Sequence, residues 1–435
     1  MDRDTVEPRV DSLPGPRASE WVEYHHETAA PSTYVYDFVW DITEDAIGPF
    51  CTDADGNVLL DFTSHVAAAP LGYNNPKIMD RADEFDMVDP LKIAGQDFYL
   101  STGGTPDETS MPGPAHLMDR LTEVSSQYDF DTVFLSNSGA EAVENAIKIC
   151  YDNCETPKYG ITFDGAFHGR TLGALSLNRS KSVYRRKFPE ISGVHDVAFS
   201  EAGVERLREK LDPDTGHIAP EEVAYLILEP IQGEGGYHVP SPEFLSAVDD
   251  VCAKHDIPII ADEIQSGVGR TGEMWAVDHY DISPDVITSA KALRVGATVS
   301  RSDIFPSEKS RLSSTWGAGD ILGSMRGALT LAAIDDHGLL DNATEKGTYF
   351  LDHLHELSAD RPIVDDVRGL GLMTALEFDT KGRRDDVLDT ALQHGLLTLG
   401  CGWKSLRLLP PLDVTERELE LALDILESVL ADVSD

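Results

Sequence analysis

A chain of 435 residues is long enough for two or three domains with a substantial core, and a hydrophobic content of 41% fits a globular protein rather than a disordered or fibrous one. Against 35 basic residues stand 77 acidic ones, and the net charge of −42, spread through the whole chain, excludes a nucleic-acid surface. No apolar run reaches membrane-spanning length, and Met1-Asp2-Arg3-Asp4 opens without the basic-then-apolar pattern of a secretion signal, so a cytoplasmic protein is expected, without membrane or nucleic-acid partners. The five cysteines, Cys51, Cys150, Cys154, Cys252 and Cys401, show no paired CxxC spacing. They point to neither a disulfide framework nor a zinc site, and no metal is expected.

In chain order, Pro14-Gly15-Pro16-Arg17 leads into a short helix carrying Trp21, Tyr24, His25 and His26. Adjacent histidines on a helix face different ways, so they are read as structural or surface residues. Asp53-Ala54-Asp55-Gly56-Asn57 is a hairpin signal between the runs Pro49–Thr52 and Val58–Phe62, and Gly72–Pro76 reads as a loop. From about Met79 to Met325 helix and strand patterns alternate, which predicts a mainly parallel sheet. Ser241-Pro242-Glu243 is a helix start: a cap residue, proline in the first turn, and an acid at the positive end, followed by Phe244, Val248, Val251 and Cys252 on one face. Beyond about Ala328 come a helix over Leu339–Ser358, a strand over Val367–Phe378 and a last helix over Glu416–Val433. The division expected is 1–78 as an N-terminal segment with part of a small domain, 79–327 as a large domain, and 328–435 as the C-terminal small domain.

Two places carry chemistry on their own residues. Val133-Phe134-Leu135 runs through Ser136-Asn137-Ser138-Gly139-Ala140-Glu141 into a helix, and a strand, a small-residue turn and a helix N-terminus together make an anion site. The run Ile257–Ala261 ends in Asp262-Glu263 with Gln265 beyond, and a second apolar run, Asp285–Thr288, ends at Ser289-Ala290-Lys291. Open α/β sheets place their ligands at the carboxyl ends of such strands. A carboxylate and a lysine delivered there suit pyridoxal phosphate chemistry. The lysine holds the cofactor aldehyde as a Schiff base, and the acid keeps the pyridine nitrogen protonated so that the ring accepts electrons.

The stretch Asp262-Glu263-Ile264-Gln265, Gly269-Arg270-Thr271-Gly272 and Lys291 resembles the core of the class III aminotransferases of the ornithine, acetylornithine and 4-aminobutyrate type. Further motifs match along nearly the whole chain: Ser138-Gly139-Ala140, Phe167-His168-Gly169-Arg170, Glu229-Pro230-Ile231-Gln232-Gly233-Glu234, Ser314-Thr315-Trp316-Gly317, and Arg407-Leu408-Leu409-Pro410-Pro411-Leu412. The resemblance implies the α/β type I pyridoxal phosphate fold: a large, mainly parallel sheet with a small α+β domain from both chain ends. It implies that Ser138, Gly139 and Ala140 hold the cofactor phosphate, that Phe167 stacks on the pyridine ring with His168 beside it, and that Gln265 bonds the ring oxygen. Asp262 and Lys291 become the catalytic pair. Arg170 takes a substrate carboxylate, Arg407 takes another with Glu234 opposite it, and Glu229 lies near cofactor and substrate. Thr315 reaches the partner subunit's phosphate, which implies a homodimer or dimer of dimers with shared sites.

The run Lys291-Ala292-Leu293-Arg294-Val295-Gly296-Ala297 departs from the family's glycine-rich pattern and, with Arg311-Leu312-Ser313-Ser314-Thr315-Trp316-Gly317 and Leu399-Gly400-Cys401-Gly402, tilts the resemblance toward lysine 6-aminotransferases. The expected reaction moves an amino group from a small-molecule donor, the terminal amine of lysine, ornithine or a similar ω-amino acid, to a 2-oxo acid, 2-oxoglutarate, by a ping-pong mechanism. An amino-acid racemase on the same scaffold is the alternative. A nicotinamide oxidoreductase would need a GxGxxG turn after a strand, and Gly165–Gly173 has no such spacing. The acidic load is similar to that of proteins from salt-in halophiles, where molar salt shortens the screening length to about 3 Å.

Overall fold

The turn signal at Asp53–Asn57 closes the hairpin expected of it. In the structure, a computed structural model describing residues 1–32, 38–85, 99–109, 111–313 and 321–434, β1 (Phe50–Thr52) pairs antiparallel with β2 (Val58–Asp61). Asp53 makes the turn: its Oδ1 accepts from the backbone N–H of Asp55 at 2.9 Å and of Asn57 at 2.7 Å, while Gly56 takes a φ of +87° that a side chain would resist.

Seven strands of the middle of the chain then form one sheet. They are β3 (Thr132–Ser136), β4 (Tyr159–Phe163), β5 (Val194–Val197), β6 (Val223–Leu228), β7 (Ile259–Asp262), β8 (Val286–Ser289) and β9 (Gly296–Ser300), in the spatial order β3-β9-β8-β7-β6-β4-β5. Every residue of β6, β7, β8 and β9 is buried, as befits strands covered on both faces. The helix Gly139–Asn153 covers one face: its Val143, Ala146, Ile147 and Cys150 pack with Ala224, Ile227, Ile260 and Val286. Only β9 runs against its neighbours, pairing antiparallel with both β3 and β8. The cause is local. A parallel return needs a crossover of roughly a dozen residues or more, and the chain between Ser289 and Gly296 is too short for one. All the other strands therefore point their carboxyl ends to one edge.

Among the described residues the remaining strands are β10 (Val364–Leu370), β11 (Met373–Phe378), β12 (Leu396–Leu397), β13 (Leu399–Cys401) and β14 (Ser405–Leu408). β12 adds parallel to β2, and β10-β11-β14-β13 form a separate antiparallel sheet. The single strand expected over Val367–Phe378 is thus a hairpin. Leu370 pairs with Met373, and the chain reverses at Gly371, whose φ of +55° closes so tight a turn. The helices Leu339–Ser358 and Glu416–Ser434 lie where the periodicity puts them. Residues 1–79 with 341–435 make one compact unit and residues 80–340 the other, so the helix Ile321–Asp336 belongs with the seven-stranded sheet, packed on the helix Pro114–Glu123. The thiols of Cys51, Cys150, Cys252 and Cys401 are buried. Among the described residues no helix is long and apolar enough to cross a membrane.

Candidate active site

Five strand ends converge on one cavity of about 190 Å³, lined by Gly139, Ala140, Phe167, His168, Gly169, Glu229, Asp262, Ile264, Gln265 and Lys291. The residues come from the turns after β3, β4, β6, β7 and β8, so the parallel order of the sheet brings together groups up to 152 positions apart (291 − 139). β7 and β8 are hydrogen-bonded neighbours with Asp262 opposite Thr288, which sets Asp262 and Lys291 at adjacent strand ends. Lys291 opens the short 3₁₀ turn Lys291–Leu293 between β8 and β9.

Asp262 is 3% exposed and its two oxygens have different partners. Oδ1 accepts from the N–H of Ile264 at 3.2 Å, and Oδ2 lies 2.7 Å from Nδ1 of His168, itself buried. Asn178 fixes the histidine segment: its Oδ1 accepts from the N–H of His168 at 2.7 Å and its Nδ2 donates to the carbonyl of Gly169 at 2.8 Å. The other ring nitrogen of His168, Nε2, is buried without a hydrogen-bond partner. Glu229 sits beneath the same wall. Its Oε1 accepts from the N–H of Phe167 and its Oε2 from that of Gly233, each at 2.9 Å. Burial pushes its carboxyl up to about 7; Asp262 adds to the rise, while His168 and the two amides oppose it.

At the start of the helix Gly139–Asn153, Ser138 is the cap, its Oγ accepting from the N–H of Glu141 at 3.3 Å. The first amides of the helix, on Gly139 and Ala140, have no intrahelical acceptor and suit an anion. Gly139 is needed for close packing, since a Cβ there would come 2.8 Å from Cδ1 of Ile264. Gln265 receives a hydrogen bond on Oε1 from the phenol of Tyr237 at 2.8 Å, which leaves its amide nitrogen as the donor end. Glu263, beside Asp262, is likewise raised to about 7 by burial. It accepts from Ser266 Oγ at 2.6 Å and from the N–H of Val277 at 2.8 Å. Arg270 of the Gly-Arg-Thr-Gly run is buried, and burial lowers it to about 10.

Beside the cavity, Arg170 is exposed and holds its guanidinium 5.6 Å from the Phe167 ring centroid and 5.3 Å from that of Tyr184. Glu234 accepts from Lys181 Nζ at 2.5 Å and from the Tyr184 phenol at 2.8 Å. Arg407 lies on β14 in the unit formed by both chain ends, buried, opposite Ala375 of β11 and Leu399 of β13. Thr315 lies outside the described residues. Asn178, Lys181, Tyr184 and Tyr237 were not singled out from the sequence. Lys181, Tyr184 and Tyr237 act through another side chain and Asn178 through the backbone of His168 and Gly169, and only the spacing of Lys181 and Tyr184 (three apart, hence one face of a turn) could have hinted at a joint role.

These residues fit pyridoxal phosphate. A lysine and a buried carboxylate share one wall, a half-buried aromatic ring lines another, two helix-end amides suit a phosphate, and the histidine behind the carboxylate has a buried nitrogen without a partner. The family profile for aminotransferase class-III matches residues 36–430. An acetylornithine aminotransferase from Caldanaerobacter subterraneus subsp. tengcongensis is 33% identical over 88% of this chain and 92% of its own length. An L-lysine-epsilon aminotransferase from Mycobacterium bovis is 31% identical over 93% of this chain and 95% of its own. The solved lysine aminotransferase of M. tuberculosis superposes with a TM-score of 0.85 at 27% identity, covering 95% of this chain and 99% of that one. With a family match over nine-tenths of its length and a cavity whose groups suit the cofactor, this chain belongs to the class III aminotransferases, enzymes that use pyridoxal phosphate on the type I fold.

Proposed function

We propose that this enzyme moves the terminal amino group of lysine, ornithine or a similar ω-amino acid to 2-oxoglutarate in two half-reactions. The observation that carries the reading is one buried wall: Asp262, backed by His168 at 2.7 Å, lines the same cavity as Lys291. The name of the L-lysine-epsilon relative, which puts the reacting amine at a side-chain end, supports an ω-amino donor. Relatives named for transamination favour that reaction over racemisation on the same scaffold.

Bound pyridoxal phosphate supplies the electron sink that makes a proton on the amine-bearing carbon acidic. Lys291 holds the cofactor at rest and then carries that proton on Nζ. Asp262 keeps the pyridine nitrogen protonated, and His168 holds Asp262 in place. Ser138, Gly139 and Ala140 hold the phosphate, Phe167 keeps the ring flat, and Gln265 donates to the ring oxygen. Arg170 fastens a substrate carboxylate with its planar fork, Arg407 takes another, and Glu229 and Glu234 set the charge around them. In this reading the protein is a cytoplasmic homodimer from a salt-rich cell, and Thr315 serves the partner's site.

A panel of amine donors with 2-oxoglutarate, followed for glutamate and for the chirality of the recovered donor, tests the reaction. Lysine or ornithine should yield glutamate, with the unreacted donor keeping its configuration. Racemised donor without glutamate would overturn the reading. Borohydride should trap the cofactor on the peptide bearing Lys291, and Lys291→Ala should remove both the trapped label and turnover. A label on another lysine would sink the assignment.

A further inference from the structure

We propose that Tyr184 is a positioning residue for the substrate carboxylate: its ring holds the Arg170 guanidinium in the orientation in which the carboxylate meets it. Backbone bonds bring the two residues together. The N–H groups of Arg179 and Ser180 donate to the carbonyl of Ala166 at 2.7 and 3.0 Å. They tie the chain beyond the helix Leu172–Leu177 back to the turn that carries Phe167 and Arg170. The chain then closes the single helical turn Ser182–Arg185, which carries Tyr184. The Tyr184 ring packs edge-on against Phe167, centroids 5.4 Å apart, and Phe167 lines the cavity. Arg170 Cζ stands 5.3 Å from the Tyr184 centroid and 5.6 Å from that of Phe167.

Two rings inclined at 73° thus flank one exposed guanidinium. The electron-rich face of a ring attracts the cation through its quadrupole and leaves the planar fork of N–H donors for a carboxylate. An arginine that sampled its rotamers freely would lose that freedom when a carboxylate bound; one already held by two rings loses less. Tyr184 is itself anchored, its hydroxyl donating to Glu234 Oε1 at 2.8 Å. Burial and the neighbouring Glu234 raise the phenol to about 12, so it stays a donor at any working pH. The ring needs Glu234 only as an acceptor, whatever else that carboxylate meets. Lys181 Nζ is the more distant cation, 5.9 Å from the same centroid, and it is bonded to Glu234. Loss of an exposed cation–ring contact and of the order it imposes changes affinity by about fivefold.

The inference rests on the proposed role of Arg170, and one set of variants separates the two. The probe is glutarate, which carries two carboxylates but neither amine nor carbonyl, and its dissociation constant is read by calorimetry on the cofactor-loaded enzyme. Tyr184→Leu should weaken glutarate about fivefold, and Tyr184→Met reads the same loss should the leucine variant fold poorly. Tyr184→Phe keeps the ring and should bind within about twofold of wild type. In an Arg170→Gln background, itself weaker than wild type, Tyr184→Leu should cost nothing more, because no guanidinium is left to hold. The absorption band of the bound cofactor should be the same in all the Tyr184 variants, since a shift would place the effect on Phe167 instead. Equal losses in both backgrounds, no loss in the wild-type background, a phenylalanine variant as weak as the leucine one, or a shifted band would each overturn the role of Tyr184 while leaving Arg170 untouched. If Arg170→Gln binds glutarate like wild type, the reading of Arg170 falls and this inference falls with it.

Discussion

Glu229 is buried among Asp262, His168 and two backbone amides, and its raised carboxyl is a stability statement as well as a site property. A carboxyl moved from an ordinary 4.5 to about 7 on folding keeps its proton in the native state where the unfolded chain has lost it. The sign is therefore negative: this group's contribution is whole below the unfolded value and is lost as pH rises through the folded one. Between pH 4.5 and about 7 the loss should come to about 3 kcal/mol. Glu229→Gln has no such titration, so the gap in urea-unfolding free energy between wild type and variant should shift by that amount in the variant's favour across the window. A gap that stays constant with pH would show that Glu229 titrates alike folded and unfolded. The motif Glu-Pro-x-Gln-Gly-Glu marks this residue in the sequence, but only its burial and the neighbouring Asp262 carboxylate reveal why its charge is costly.

At the scale of elements, the site depends on how strands and helices end. Ser241 caps the helix Pro242–His255 by accepting from the N–H of Phe244 at 3.1 Å, and that helix buries Phe244, Leu245, Val248, Val251 and Cys252. Ser241→Ala should lower unfolding free energy by about 1 kcal/mol, with Ser241→Asp close to wild type, measured by urea titration. An alanine variant as stable as wild type would mean that the cap does not hold this helix end. The same reasoning at β8 explains Lys291. A short return to an antiparallel β9 leaves the lysine on a 3₁₀ turn at the sheet edge instead of inside a long helix. That geometry was not legible in the run Lys291–Ala297, which shows a departure from the family's glycine-rich pattern but not the reversal of strand direction.

For the whole molecule the governing number is the net charge of −42. At low ionic strength such a load repels itself over roughly 30 Å at 0.01 M salt, and molar salt shortens that reach to about 3 Å. The urea midpoint of unfolding should therefore rise between dilute buffer and molar potassium chloride, with activity following it. Equal midpoints in the two solutions would count against a salt-dependent fold. Local ion pairs soften the load in places. Asp413, 9% exposed, meets both Arg3 and Lys77, and these cations hold its carboxyl below the usual range despite its burial. Such pairs cannot balance 77 acids with 35 bases.

The order of helices and strands, the hairpin at Asp53–Asn57, the cap at Ser241 and the strand-end placement of Asp262 and Lys291 were all written in the sequence. Each is a local matter of apolar period, turn chemistry or a residue at the end of a run. The reversal at Gly371 within Val364–Phe378 was not, because a two-residue turn inside an apolar stretch leaves no polar break to read. Nor were the partners of the site residues. His168 at 2.7 Å from Asp262 spans 94 positions, and Lys181 at 2.5 Å from Glu234 spans 53. Hydrogen bonds across such separations depend on which strands are neighbours, and sheet order is fixed by long-range packing rather than by any stretch of chain. The sequence alone determined which chemical groups stand at the strand ends; the tertiary structure decided which of them face one another, and so which charges are neutralised and which are left for a substrate.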